Sequence, residues 1–429
     1  MKEIYSVILA AGKSTRFKGS KSKIFQELAG LPIIVHVYNL AKKVSGKNII
    51  IVCNKKNFKE LKLLIPNCNF VIQKNQRGTA DAILAAKKFL LNKNFLVLFG
   101  DVPLISINSI NKLKNNFKKN NTAGSIIAFK TSEPSGYGRI IGKKDKVLKI
   151  VEEINTNEEQ KKIQLCNSGV LLTNSKLFFQ NIKKVKLNKI KKEKYIPDIF
   201  EIYLNQNNPF SFIICDEEEM FGINTMEDFY KIDDLYQKNL IEKLINKGVY
   251  FVNPKSTRIC FDTKIDFGAI IESNVVIKER VNIGKKTIIR SNSYLEGATI
   301  KENCVVGPLA RIRPSSFISS NSKIGNYVEI KNSYIGKSTS IAHLSYIGDC
   351  RIGKNVNIGA GTITCNFDGH KKHKTIIKDG AFIGSNTSLV APVIINKNAK
   401  IGAGSVINKD IPAEKLAIER SKLKIIKKN

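Results

Sequence analysis

The chain has 429 residues and carries 71 Lys+Arg against 36 Asp+Glu, a formal charge of +35. That length makes two or three domains, each with room for a core of its own. With 42% hydrophobic and 25% charged residues the composition is that of a globular protein, which excludes a wholly disordered chain, a collagen and a bundle of membrane spans.

Met1-Lys2-Glu3-Ile4 leads straight into a strand-like run, with no basic and then apolar leader. No apolar stretch approaches the ~20 residues of a membrane span. The eight cysteines are scattered without a CxxC pair, which points to reduced thiols in a cytoplasm rather than a disulfide framework or a zinc site. The lysines are spread along the whole length, and arginine does not interleave with aromatics. The charge therefore reads as solvated surface, with neither nucleic acid nor membrane expected as a partner.

In chain order, Ile4–Leu9, Asn48–Val52, Phe70–Ile72 and Phe95–Phe99 read as buried strands. Ile33–Lys43 and Thr79–Leu91 between them carry apolar residues at helical spacing. This alternation makes βαβ units and a mostly parallel sheet, whose ligands collect beyond the carboxyl ends of the strands. Residues 225–248 read as a connector helix striped by Phe229, Ile232, Leu235, Tyr236, Leu240, Leu244 and Ile245, and closed by Gly248.

Beyond Val252 an aliphatic residue followed by Gly recurs at Ile283, Val306, Ile324, Ile335, Ile347, Ile352, Ile358, Ile383 and Ile401, on a six-residue grid with slips of one. That is the hexapeptide signature of a parallel β-helix, in which the aliphatic side chain points into the coil and coils stack because none buries its own core. Thr364–Thr375 interrupts the pattern and reads as a loop projecting from one face. Its His370 and His373 lack a third ligand at metal-binding spacing and read as solvated.

Two loops carry the chemistry of the first domain. Leu9-Ala10-Ala11-Gly12-Lys13-Ser14-Thr15-Arg16 is not a phosphate-binding P-loop, because Val7 stands where the first glycine belongs. It is a loop of small residues whose backbone N–H groups can approach phosphate, with Arg16 and Lys23 as cations. Phe99-Gly100-Asp101 ends another strand and offers a carboxylate suited to Mg²⁺. Gln73, Gln76, Gly78 and Thr79 precede a helix. Gly136-Tyr137-Gly138-Arg139, Glu152-Glu153 and Asn167-Ser168-Gly169 offer groups that suit a sugar.

LAAGKSTR, QxxQxGTADA, GDVP, YGR, IVEE and NSG, in this order, resemble the sugar-phosphate nucleotidyltransferases. Together with the repeats, nearly the entire chain resembles the bifunctional N-acetylglucosamine-1-phosphate uridyltransferases/glucosamine-1-phosphate acetyltransferases. The resemblance implies a Rossmann-like uridyltransferase domain over 1–224, the connector over 225–248, and a left-handed parallel β-helix acetyltransferase domain over 249–429. It also implies a homotrimer with acetyl-CoA bound between subunits. In the first domain it implies nucleotide contacts at Leu9, Ala10, Ala11, Gly12, Lys23, Gln73, Gln76, Gly78 and Thr79. Sugar contacts fall at Gly138, Glu152 and Asn167, with Arg16 and Lys23 neutralising phosphate, Asp101 and Asn224 binding Mg²⁺, and Asn224 also meeting the nucleotide. In the second, His343 is the general base, and Arg313, Lys331, Tyr346 and Asn357 hold glucosamine 1-phosphate. Ala360, Asn366, Phe367, Ser385, Ala403 and Arg420 meet acetyl-CoA. UTP and acetyl-CoA are the co-substrates, and the product feeds cell-wall and lipopolysaccharide synthesis.

Four positions depart from the family pattern. Ser14 replaces a glycine, Ser22 a proline and Phe367 a tyrosine, and Glu419 stands beside Arg420 where a small polar residue is usual. Two other readings stay open: a single-activity nucleotidyltransferase with a structural or regulatory solenoid, and a non-enzymatic phosphate- or nucleic-acid-binding protein. A purely structural solenoid has no reason to carry Arg313, Lys331, His343 and Asn366 together.

Overall fold

The computed structural model describes residues 3–12, 16–17, 21–74, 77–120, 122–185, 196–421 and 423–426. The chain divides into two compact units, Met1–Leu235 and Tyr236–Asn429.

The first unit is built on one nine-stranded sheet. Ile4–Ala10, Ile49–Cys53, Asn69–Ile72 and Asn94–Phe99 pair in parallel, with Ile4–Ala10 between Ile49–Cys53 and Asn94–Phe99. The three inner strands are mostly apolar and buried on both faces because helices cover both, each face with its own core cluster, while Asn69–Ile72 at the edge is exposed at both ends. Beyond Asn94–Phe99 the sheet becomes mixed. Leu165–Asn174 pairs antiparallel with Asn94–Phe99 and with Gly124–Lys130, and the hairpin Gly138–Lys143/Lys146–Val151 lies at the far edge. The helix expected over Thr79–Leu91 is two, Thr79–Ala85 and Lys87–Leu90, hinged at the buried Ala86.

The helix Met226–Ile245 ends as expected before Gly248, whose φ is +84°. Within the second unit Ile241 and Leu244 join the solenoid core, while Ile245 is 44% exposed. Gln237 is buried instead. Its amide donates to Ile259 O (2.9 Å) and accepts from Ile259 N (3.0 Å), closing the solenoid's first coils as a strand would.

The rest of the second unit is a prism of three parallel sheets, of ten, nine and eight short strands, a left-handed parallel β-helix. The first face starts at Tyr250–Phe251, the second at Arg258–Ile259 and the third at Lys264–Ile265. Each strand pairs with the one three further on, except that Lys400–Ile401 pairs with Leu416–Ala417 two further on, so paired residues lie one coil apart. All nine aliphatic positions of the repeat are buried in one continuous core. Each buried Ile or Val contributes about 1.5–3 kcal/mol relative to an exposed one. Paired residues are 18 apart at Ile271↔Ile289 but 17 at Ile324↔Ile341, which is how the one-residue slips are absorbed. Corners turn through left-handed residues, many of them Asn, such as Asn274, Asn292, Asn321 and Asn355, because Asn tolerates that conformation.

Two candidate active sites

In the first unit, the ends of the two central parallel strands bring the small-residue loop after Leu9 and the Asp101 segment side by side. Gly100 N donates to Leu9 O (2.9 Å). A Cβ at Gly100 would sit 2.7 Å from Ile34 Cδ1 and 3.2 Å from Leu9 O, so a side chain here would press on both and glycine eases the close approach of the loops. Ile223 N donates to Asp101 O (3.0 Å), drawing in Asn224 from far along the chain. Asp228 fixes that turn by accepting from Asn224 N and Thr225 N (both 2.8 Å).

The result is a polar cluster. Lys23 Nζ lies 2.5 Å from Asp101 Oδ2 and 3.0 Å from Asn224 Oδ1, and Arg16 reaches the same Asn224 oxygen at 3.4 Å. The Asp101 and Asn224 oxygens thus converge on one cationic point. A carboxylate and an amide oxygen are hard donors that leave most of a coordination shell to water and phosphate, a donor set that fits Mg²⁺. Leu9, Ala10 and Ala11 are buried beneath the loop and Gly12 is exposed. Asn54 Nδ2 supports the loop from the neighbouring strand, 3.4 Å from both Ala11 O and Gly12 O. Ser14 and Gln76 lie outside the described residues, while Ser22 O receives Phe25 N (2.9 Å) and starts the turn that carries Lys23. Gln73 Nε2 donates to Gly78 O and Asp81 Oδ2, both at 3.2 Å.

The sugar-type residues Gly138, Glu152 and Asn167 gather in a cleft of about 290 Å³ that Thr79, of the nucleotide set, shares with Phe99, Tyr137 and Gly169. A bulge in Leu165–Asn174 between Asn167 and Leu171 turns the Asn-Ser-Gly segment into it. The opposite wall is held from behind. Arg139, 1% exposed, pairs with Glu153 Oε2 (2.6 Å) and donates to Tyr137 O, while Glu153 also accepts from Gly136 N (3.3 Å).

In the solenoid, His343 stands at the corner between the first and second faces. Its Nδ1 is 2.7 Å from Asn326 Oδ1 on the preceding coil, where the two residues are register partners. An amide oxygen only accepts, so Nδ1 carries the hydrogen and Nε2 is left as the basic nitrogen. Gly325 makes this corner possible, because a Cβ there would collide with the Ala342 carbonyl. Following the register, Asn326, His343, Ala360, Ser385 and Ala403 fall in a single column, one per coil. Arg420 lies beside its end, packing along Gly402 and Gly404. Glu419 aims elsewhere: its carboxylate accepts from Val406 N (3.0 Å) and its N–H donates to Ser405 Oγ (3.2 Å).

Across the second face lies a cationic group. Arg313 pairs with Glu329 (2.8 Å), which Arg311 also approaches at 3.7 Å. Lys331 has its pKa lowered, first by hydrogen bonding with Lys372, then by desolvation and by the charges of Lys372 and Arg313, with Asp349 opposing. Asp349 accepts from Asn332 and Asn366, both at 2.5 Å. The expected loop is a small hairpin, with Phe367 bridged to Lys372 and Phe367 60% exposed. His373 pairs with Asp368 (2.6 Å), whose carboxyl is held far below the usual range first by the Lys371 N–H and then by His373. Among the described residues no group of three or more His, Cys, Asp or Glu is arranged to hold a metal ion. Tyr346 lies one coil beyond Glu329, its hydroxyl over Gly348, and Asn357 is exposed between Ser340 and Phe382. Asn326 and Lys372 escaped the sequence reading: one looks like any corner Asn, the other like any member of a lysine run.

A nucleotidyltransferase unit followed by a hexapeptide transferase unit is the class that this fold defines. Residues 6–163 match the MobA-like NTP transferase domain, and 374–409 match six bacterial transferase hexapeptide repeats. Over 97% of its length the chain is 37% identical to a bifunctional protein GlmU of Bartonella bacilliformis, covering 94% of that protein. It is 37% identical to the one of Ruthia magnifica over 98% of this chain and 97% of that one. For Thermosipho africanus the values are 39%, 98% and 96%. The chain belongs to the family of bifunctional GlmU proteins.

Proposed function

We propose that this enzyme makes UDP-N-acetylglucosamine by two transfers at two separate sites. In the carboxyl-terminal unit, the amine of glucosamine 1-phosphate attacks the thioester carbonyl of acetyl-CoA. A C–N bond forms, the C–S bond breaks, and CoA leaves as its thiol. His343 Nε2 takes the proton from the attacking nitrogen. Arg313, Lys331 and Lys372 hold the sugar phosphate, with Tyr346 and Asn357 beside it. Ala360, Ser385, Ala403 and Arg420 form the track for acetyl-CoA, with Asn366 and Phe367 contributing from the hairpin. Glu419, engaged with backbone, keeps its charge off the CoA phosphates.

In the amino-terminal unit, a phosphate oxygen of N-acetylglucosamine 1-phosphate attacks the α-phosphorus of UTP, and the bond to the β-phosphate breaks to release pyrophosphate. No protein nucleophile is needed, so catalysis is alignment and charge neutralisation. Arg16 and Lys23 draw off phosphate charge, and Gln73, Gln76, Gly78 and Thr79 hold the uridine. Gly138, Glu152 and Asn167 hold the sugar. Asp101 and Asn224 would hold Mg²⁺, which supplies further neutralisation of the transferring phosphates. We place these activities in 1–224 and 249–429, joined by 225–248, in a cytoplasmic homotrimer that supplies cell-wall and lipopolysaccharide synthesis.

The Asn326–His343 contact at the head of the small-residue column carries the acetyl-transfer assignment. Reciprocal variants test both halves. His343→Ala is expected to abolish acetyl transfer and spare uridylyl transfer, and Asp101→Ala the reverse. Absence of acetyl transfer in the unaltered protein would leave a single-activity nucleotidyltransferase, and equal damage to both activities by both variants would refute one site per unit.

A further inference from the structure

The third face of the solenoid carries a cleft that the two transfers do not use. It has a volume of about 390 Å³, within the size range of small-molecule sites, and is lined by Tyr334, Arg351, Lys354, Ile376, Lys378, Asp379 and Lys397 among others. Register explains its floor: Tyr334, Arg351 and Ile376 are successive partners on one outward row. The row is pre-ordered. Phe317 and Tyr334 stack at 5.3 Å and 6°, and the Arg351 guanidinium lies over Tyr334 at 4.9 Å. Stacking fixes the plane of the fork and leaves its N–H groups to recognise a planar or tetrahedral anion.

Around this fork Lys354, Lys378 and Lys397 add three more cations, and none of the four forms an ion pair among the described residues. The single carboxylate, Asp379, is partly committed, its Oδ1 accepting from Lys354 N (2.7 Å). Four cations against one acid call for a ligand with more than one negative charge. The remaining Asp379 oxygen is an acceptor suited to a hydroxyl or amino group, and Ile376 offers apolar floor.

We propose that this cleft binds an organic diphosphate bearing hydroxyl groups, of nucleoside diphosphate size, at a site distinct from both transfer centres. The fork and lysines take the phosphates, and Asp379 takes a hydroxyl. The test is calorimetric titration of the full chain with ADP, compared with inorganic pyrophosphate. The double variant Lys378→Glu/Lys397→Glu is expected to weaken the ADP site at least tenfold while leaving both transfer activities within twofold. A control, Lys59→Glu/Lys62→Glu, makes the same charge change on an exposed helix of the other unit and is expected to leave binding unchanged. ADP held elsewhere is common to all three proteins and drops out of the comparison. The proposal is overturned if the unaltered chain binds no ADP, if the control weakens binding as much as the test variant, or if pyrophosphate binds as tightly as ADP.

Discussion

Asn326→Ala isolates the hydrogen bond that orients His343, the proposed acetyl-transfer base. The bond is neutral, 2.7 Å long and exposed, and its loss leaves the corner intact, because Leu344 N still donates to the Asn326 backbone oxygen at 3.0 Å. A neutral hydrogen bond of this kind contributes about 1 kcal/mol, which corresponds to about a fivefold change in rate. Freed to rotate and to exchange tautomers, the imidazole spends less time with Nε2 facing the amine. The expected result is therefore a drop of about fivefold in kcat for acetyl transfer. His343→Ala, which removes the proton acceptor itself, is expected to cost about 10²- to 10⁴-fold. Acetyl transfer is followed by thiol release at saturating acetyl-CoA, with uridylyl transfer measured on the same preparation and Asn326→Asp and Asn326→Gln as conservative comparisons. An unchanged kcat in Asn326→Ala, or a parallel fall in uridylyl transfer, would refute the reasoning.

Three further outcomes are expected. Lys331 holds its proton less firmly than an isolated lysine because Lys372 and Arg313 crowd it, so its charge is lost at lower pH as alkali is added. Affinity for glucosamine 1-phosphate should accordingly fall early on the alkaline side, and Lys372→Met should raise KM near neutrality yet move that alkaline limb to higher pH. Gly325→Ala drives a methyl group into the Ala342 carbonyl and should destabilise the solenoid by about 2–3 kcal/mol, read as a lowered denaturation midpoint for acetyl transfer with uridylyl transfer retained. Glu153→Gln uncouples the buried Arg139. Removing one partner of a buried pair costs about 3–5 kcal/mol, reduced here to about 2 because the Glu153 side chain is 39% exposed, and KM for the sugar phosphate should rise as the Gly136–Gly138 wall loosens.

The solenoid was legible because its repeat is local: each Ile-Gly or Val-Gly step declares one buried side chain and one corner, and all nine aliphatic positions lie in the core. The parallel strands were legible for a similar reason, as continuous apolar runs ending in glycine-rich loops. What stayed hidden was long-range or degenerate. Nothing near Leu165–Asn174 announces that it inserts antiparallel beside Asn94–Phe99, a pairing made only in the folded sheet. The connector stripe placed Ile245 inward, but burial shifts to Gln237, whose amide finds backbone partners that a hydropathy pattern cannot register. Asn326 and Lys372 are chemically ordinary in a chain rich in both residue types, and only their neighbours distinguish them.

The column from His343 to Ala403 works as a ruler. Each coil adds one residue and about 4.8 Å, so the three steps from the imidazole to Ala403 span about 14 Å, and a thioester donor held there as proposed would be gauged in whole rungs. Removing the 18-residue coil between Ser385 and Ala403 would shorten the gauge by a single increment and leave the hairpin that carries Lys372 in place. On the proposed assignment, the reach of the donor is set by the number of coils and the proton acceptor sits apart from it at the column's head.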